Sequence, residues 1–136
     1  MSATDSTKTI SHISVVTVHV KDQDEALRFY TERLGFEKRS DMPMGEGVRW
    51  LTVAPAGSPT EVVLASGYGD EMAGDAGGAP LGKNTGIVLE TDDINAAHRA
   101  LSGCGVRFTK EPAREPFGGW AEFVDQDGNS FGLHSN

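Results

Sequence analysis

Two segments of the chain carry the same pattern, and this repetition constrains the fold more than any other feature. The first, TVHVKDQDEALRFYTERLGF, begins at Thr17, and the second, VLETDDINAAHRALSGCGV, begins at Val88. Each predicts a β-strand, an aspartate that caps a helix, an amphipathic helix and a terminating glycine. Because three strand-like segments follow each helix, the chain is predicted to contain a βαβββ unit twice.

In the first half, a strand over residues 13–20 precedes a helix that Asp22 caps and Gly35 ends. This helix should bury one stripe of side chains, namely Ala26, Leu27, Tyr30 and Leu34. Further strands are predicted over residues 36–41, 48–54 and 61–66.

The second half predicts the same order. A strand over residues 86–91 leads into a helix that Asp93 caps and Gly103 ends. Strands follow over residues 106–110, 119–124 and 130–135. Superposing the halves places Trp50 on Trp120, and these are the two tryptophans of the chain. The Pro- and Gly-punctuated stretch EPAREPFGG, residues 111–119, is predicted to be a loop, either ordinary or covering a pocket mouth.

These elements predict one α+β domain. Its parts are a disordered N-terminus over residues 1–10, a first module over 11–66, a Gly-rich linker over 67–84 and a second module over 85–136. An apolar content of 38% and a charged content of 24% are compatible with a packed interior.

Charge and composition exclude several classes of partner. A net charge of −8 argues against binding to nucleic acid or to an anionic membrane surface, and mildly favours a neutral or cationic ligand. The single cysteine, Cys104, rules out an intrachain disulfide. The polar first nine residues lack the apolar core of a signal peptide, so a cytoplasmic protein is expected.

The two repeated segments, together with FVDQDGNSFGL from Phe123 to Leu133, resemble the vicinal oxygen chelate superfamily. This superfamily includes glyoxalase I, extradiol dioxygenases, and fosfomycin- and bleomycin-resistance proteins. The resemblance covers about residues 12–135. It implies a curved mixed sheet built from two βαβββ modules around a cavity, in a homodimer. Whether each cavity is built within one chain or across the dimer stays open.

Metal-dependent members of this superfamily hold a divalent ion with side chains from the first and last strand of each module. Carried over to this chain, those positions fall on Val15, Leu64, Gly86 and Gly132. None of these residues offers an imidazole nitrogen or a carboxylate oxygen. We therefore expect no metal of the family type and no other cofactor.

Strand alternation, the resemblance and the repeat together predict the pocket lining. Alternation assigns to it Thr17, His19, Val62, Leu64, Val88, Glu90 and His134. The resemblance adds Trp120 and Glu122, and the repeat adds Trp50 and Thr52. The opposite face should pack on the helices through Val16, Val18, Ile87, Leu89, Phe131 and Leu133. A largely apolar pocket with a few polar groups is typical of a small-molecule site.

Two functions are compatible with this pocket. In the first, the protein sequesters a small aromatic or cationic compound, with Trp50 and Trp120 as stacking walls unless they only fill the core. In the second, it is a lyase or isomerase. Then His19 and Glu90, unless they form a plain ion pair, would meet across the pseudo-twofold axis for acid–base catalysis. Alternatively, a divalent ion would be held in a new arrangement by His19, Glu90, Glu122 or His134.

Overall fold

The computed structural model describes residues 9–45, 48–66 and 81–136. They form two four-stranded sheets with strand orders β1-β4-β3-β2 and β5-β8-β7-β6. In each sheet the first strand runs parallel to the last strand of its module, and the other pairs are antiparallel. This confirms the predicted α+β fold of two tandem βαβββ modules.

The elements of the first module are β1 (Val15–His19), α1 (Gln23–Arg28, continued by a π-helical turn over Phe29–Arg33), β2 (Glu37–Pro43), β3 (Arg49–Ala54) and β4 (Glu61–Ala65). Those of the second are β5 (Asn84–Glu90), α2 (Ile94–Gly103), β6 (Arg107–Glu115), β7 (Gly118–Val124) and β8 (Ser130–Ser135). The predicted N-terminal tail, except residues 9–10, and the predicted linker, except residues 81–84, lie outside the described residues.

Both helices begin at the predicted aspartates. The Asp22 carboxylate accepts a hydrogen bond from the Glu25 amide at 2.9 Å, and the Asp93 carboxylate accepts one from the Ala96 amide at 3.0 Å. The end of α2 was predicted slightly too early. Gly103 still belongs to the helix, and Gly105 adopts the left-handed conformation, with φ +89°, that ends it.

The stretch 111–119 is not a loop. It forms most of a β-hairpin in which β6 and β7 are joined by a turn of two residues, Pro116 and Phe117. Pro116 lies in the turn, Gly118 and Gly119 begin β7 directly after it, and Pro112 lies within the register shift between Lys110 and Ala113, where a ladder tolerates a proline. The hairpin therefore places Phe117 in the turn where β6 ends and β7 begins.

One apolar core joins the two modules. Tyr30 of α1 is fully buried, and its ring meets Phe131 of β8 edge-on, with centroids 6.1 Å apart. Its hydroxyl donates to the Asp125 carboxylate at 2.7 Å. Burial, followed by the charge of Asp125, raises the pKa of the Tyr30 hydroxyl well above its usual value. Ile94 of α2 belongs to the same core, so both helices pack in it. The face of each sheet opposite its helix is called here the non-helical face.

No helix among the described residues is long and apolar enough to cross a membrane.

Candidate functional site

The second module places five predicted pocket residues on its non-helical face, together with Gly132. In the ladder between β5 and β8, Val88 pairs with Gly132 and Glu90 with His134; between β7 and β8, Trp120 pairs with His134 and Glu122 with Gly132. Paired residues point to the same side of a sheet. Their neighbours Ile87, Leu89, Phe131 and Leu133 pack in the core, as predicted. A functional role for these five residues stays a prediction at this point.

In the first module, the placement of Val62 and Leu64 was wrong. They pair with Val16 and Val18 in the β1–β4 ladder and belong to the apolar core. The residue of β4 that shares a face with Thr17 is Val63. The superposition of the two halves was therefore displaced by one residue in this strand, and one residue reverses the face of every side chain.

This correction brings one unpredicted carboxylate to the non-helical face of the first sheet. Glu61 pairs with Val15, and its Oε1 accepts a hydrogen bond of 2.8 Å from the Thr52 hydroxyl. The Arg39 guanidinium lies 3.8 Å from the other Glu61 oxygen. The sequence did not predict Glu61 at this face, because polar and apolar residues do not alternate in EVVLA and the pattern does not show which side of the strand each residue faces. Trp50 pairs with Met42 on β2 and is half-buried.

The positions that the resemblance assigns to a metal are Val15, Val63, Gly86 and Gly132, once the last-strand position of the first module is corrected from Leu64 to Val63. These residues do not fit a divalent ion. A Cβ built on Gly132 would lie 2.3 Å from Cη2 of Trp120, so the indole fills the space that a ligand side chain would need. Elsewhere in the described part of the chain, no group of three or more His, Cys, Asp or Glu side chains is arranged to hold a metal.

Trp120 is the centre of the site on the second sheet. Its Nε1 donates to the Glu122 carboxylate at 2.9 Å, and Phe117 meets its ring edge-on with centroids 5.6 Å apart. A cavity of about 130 Å³ lies beside the indole. Its lining residues are Asn84, Gly86, Ile87, Val88, Trp120, Glu122, Ser130, Phe131 and Gly132. The site therefore combines the ring of Trp120 with a small cavity of mixed polar and apolar lining and the carboxylate of Glu122.

Glu90 pairs with a different histidine from the predicted one. Its Oε1 accepts a hydrogen bond of 2.6 Å from Nδ1 of His134, and Nε2 of His134 donates to the Phe117 carbonyl at 2.8 Å. The Phe117 carbonyl and then the Glu90 carboxylate raise the pKa of His134 above its usual value. Because each ring nitrogen of His134 faces an oxygen acceptor, both nitrogens donate only when the ring is the protonated imidazolium.

The predicted pair of His19 and Glu90 does not form among the described residues. His19 is the last residue of β1 in the other sheet, where it pairs with Ala65. Its carbonyl accepts a hydrogen bond of 2.9 Å from Asn129 Nδ2, which helps to join the two modules. The acid–base chemistry assigned to His19 with Glu90 therefore lacks the geometry it needs.

Comparison with known proteins agrees with this architecture. The sequence model of the Glyoxalase/Bleomycin resistance protein/Dioxygenase superfamily matches residues 9–133. The uncharacterized protein YetH of Bacillus subtilis is 36% identical over 125 residues, which cover 90% of this chain and 96% of YetH. The chain therefore belongs to the Glyoxalase/Bleomycin resistance protein/Dioxygenase superfamily.

Two solved structures are similar over almost their full length. A superfamily member from Sphaerobacter thermophilus is 40% identical, with a TM-score of 0.82, and the match covers 93% of this chain and 98% of that one. TnmS3, described as an antibiotic binding protein from a Streptomyces species, is 37% identical with a TM-score of 0.77. That match covers 93% of this chain and 97% of TnmS3.

Proposed function

We propose that this protein binds and sequesters a small planar aromatic compound, neutral or cationic, on the non-helical face of its second sheet. Binding requires no metal and no other cofactor. The observation that carries the proposal is the indole of Trp120, which lies against Gly132, one of the positions that the resemblance assigns to a metal. Planar π-systems stack on such a surface, and cations are attracted to its face.

The charges around the indole support the neutral or cationic class. Glu90 and His134 neutralise one another at 2.6 Å, which leaves Glu122 as the carboxylate beside Trp120. Lys110 stands opposite Glu122 in the β6–β7 ladder. The site then has no net positive charge, and the whole chain carries −8. These four charged side chains sum to zero, so an anionic ligand would gain no net attraction at the site and would meet the negative charge of the whole chain.

The likeness to TnmS3 supports sequestration rather than turnover. That protein is described as an antibiotic binding protein, and it matches this chain over nearly its whole length. Sequestration needs only complementary contacts, so an indole in place of a metal ligand is compatible with it. An antibiotic-like aromatic compound is accordingly the ligand class for this chain.

The second copy of a homodimer would complete the site. Apolar side chains remain exposed on or beside the non-helical faces: Met42 at 51%, Val88 at 53% and Phe117 at 58%. The cavity of about 130 Å³ is well below the roughly 300–1,000 Å³ that is typical of small-molecule pockets, so a partner face would help to enclose a ligand. Sedimentation velocity should give a dimer, and Val88→Arg should shift it to monomer. A monomeric parent protein contradicts this part of the proposal.

The proposal is tested by calorimetric titration with three bicyclic probes of different charge: N-methylquinolinium, 2-naphthol and 2-naphthoate. The cation and the neutral probe should bind at least about tenfold more tightly than the anion, which corresponds to about 1.4 kcal/mol. Trp120→Ala should weaken binding at least about tenfold, whereas Ile10→Ala, on an exposed residue before β1, should not change it. Preference for the anion, or unchanged affinity in Trp120→Ala, would overturn the proposal.

The competing enzyme function now rests on the Glu90–His134 pair. A charged imidazole held by a carboxylate at 2.6 Å has the composition of an acid–base pair. Its second nitrogen is already occupied by the Phe117 carbonyl, so no N–H is left for a substrate. Turnover of a bound probe that persists in chelator and disappears in Glu90→Gln would favour the enzyme. Stoichiometric metal in the purified protein would favour a metal-dependent variant of it.

A further inference from the structure

The indole of Trp120 is held on three sides before any ligand arrives. Its six-membered ring lies against Gly132, where a Cβ would come within 2.3 Å of Cη2 and 2.7 Å of Cζ2. Its Nε1 is fixed by Glu122 at 2.9 Å. Phe117 closes the third side, with the two rings at an angle of 83°. An aromatic plate confined in this way keeps one orientation.

Phe117 itself depends on His134 for its position. It is 58% exposed and lies in the two-residue turn between β6 and β7, where the apolar core does not hold it. Its carbonyl accepts the hydrogen bond of 2.8 Å from His134 Nε2. Its ring also stacks on the imidazole, with centroids 6.2 Å apart and planes 28° apart. Both the backbone and the side chain of Phe117 are therefore in contact with one residue of β8.

Gly118 allows the turn to approach β8 this closely. Its φ is +122°, and a Cβ there would lie 2.4 Å from the Ser135 carbonyl oxygen and 2.9 Å from His134 Nε2. Any other residue would push the turn away from the strand. The sequence thus provides the space in which His134 reaches the Phe117 carbonyl.

We infer that Phe117 and His134 are positioning residues for the aromatic site: His134 holds the β6–β7 turn, and Phe117 on that turn fixes the indole of Trp120 in its binding orientation. This inference rests on the proposed function as far as ligand affinity is concerned. Its part on the order of the indole does not need a ligand. A side chain that is already ordered loses less conformational entropy on binding, so the positioning raises affinity.

The experiment uses the full chain with Trp50→Phe, in which Trp120 is the one remaining tryptophan. Acrylamide quenching and fluorescence anisotropy then report on its indole alone. Phe117→Ala should raise the quenching constant and lower the anisotropy of the ligand-free protein. Phe117→Tyr should restore both values, since it keeps the ring. Ile10→Ala, another exposed apolar truncation, should leave both unchanged.

His134→Ala separates a positioning role from an independent one. Because His134 acts through Phe117, it should loosen the indole when changed alone and should add nothing in the Phe117→Ala background. Additive effects of the two substitutions would show separate roles and contradict the inference.

Ligand affinity provides the second measurement. Phe117→Ala should weaken binding of N-methylquinolinium about three- to tenfold, in proportion to the lost order of the indole. An unchanged quenching constant in Phe117→Ala overturns the inference whether or not a probe binds. If Phe117→Ala loosens the indole of Trp120 but leaves the affinity for N-methylquinolinium unchanged, the positioning does not contribute to binding. Failure of all three probes to bind the parent protein, with the indole loosened as described, refutes the proposed function and leaves the positioning intact.

Discussion

The six-membered ring of Trp120 lies where a side chain on residue 132 would begin, because a Cβ on Gly132 would be 2.3 Å from Cη2. The present orientation of Trp120 therefore requires glycine at position 132. A glycine in β8 makes room for the indole of β7, and the indole fills the space that any side chain at residue 132 would occupy. The neighbouring strands β7 and β8 thus present an aromatic surface at residue 132.

Gly132→Ala tests this relationship directly. The added methyl group cannot coexist with the present indole orientation, so the ring of Trp120 must turn away from β8. Probe affinity should fall at least about tenfold, and the emission of Trp120 should shift in the Trp50→Phe background. The free energy of unfolding should change by less than about 2 kcal/mol, because the ring is only half-buried and can move.

The matched control is Gly103→Ala, which adds a methyl group at a described position with no atom within 4 Å of the new Cβ. It should alter neither binding nor emission. Retained affinity in Gly132→Ala would mean that the indole orientation does not matter to the ligand.

Tyr30→Phe tests the junction of the two modules. The Tyr30 hydroxyl donates to Asp125 at 2.7 Å in a fully buried setting, and Asp125 keeps hydrogen bonds from Asn129 and Asp127 when that donor is lost. Removal of one charge-assisted bond should lower the free energy of unfolding by about 1–3 kcal/mol. Urea titration followed by circular dichroism measures it. Thr31→Val, which loses a half-buried bond within α1, is the control and should cost less.

The repeat and the two capping aspartates were sufficient to predict the fold, because they use local chemistry. Asp22 and Asp93 cap helices whatever packs around them, and the glycine past each helix permits the left-handed conformation. The site was harder to predict. In β4, Val62, Val63 and Leu64 are all buried, so their polarity contains no information on which side each one faces.

Two parts of the site depended on contacts that the repeat does not encode. The repeat suggested His19 as the partner of Glu90. Side chains paired on neighbouring strands are closer to one another, and in the β5–β8 ladder the residue paired with Glu90 is His134. Phe117 was missed because a stretch punctuated by Pro112, Pro116 and two glycines is typical of a loop. It forms a hairpin instead, because β6 pairs with β7 from Arg107 to Glu115, with two register shifts between Phe108 and Ala113.

The free energy of unfolding should depend on pH through the protonation of His134. Its pKa in the folded protein is raised above the usual value of about 6.5. Its stabilising contribution is therefore complete below about pH 6.5, where both folded and unfolded states bind the proton. It is lost as the pH rises through the folded-state pKa. Urea midpoints from pH 5.5 to 9 of the parent and of His134→Gln should differ most at low pH and converge at high pH.

Glu90→Gln provides the second half of that test, because it removes one of the two groups that raise the pKa of His134. The imidazole should then titrate at a lower pH, which an NMR titration of the ring protons measures. The Phe117 carbonyl remains, so part of the upward shift should persist. A difference between parent and His134→Gln that grows with pH would contradict the charged form of His134 in the folded protein.

Gly118→Ala should detach the β6–β7 turn from β8, and the chain provides a close control for its backbone strain. Gly45 has φ +124° against +122° for Gly118, but a Cβ on Gly45 meets no described atom within 4 Å, whereas one on Gly118 would lie 2.4 Å from the Ser135 carbonyl. Gly45→Ala therefore measures the cost of the left-handed conformation alone, about 1–2 kcal/mol. Gly118→Ala should cost more, and it alone should loosen Trp120 in the Trp50→Phe background and weaken binding of N-methylquinolinium. Equal effects of the two substitutions on stability and on the indole would show that the close approach of the turn to β8 contributes nothing to the site.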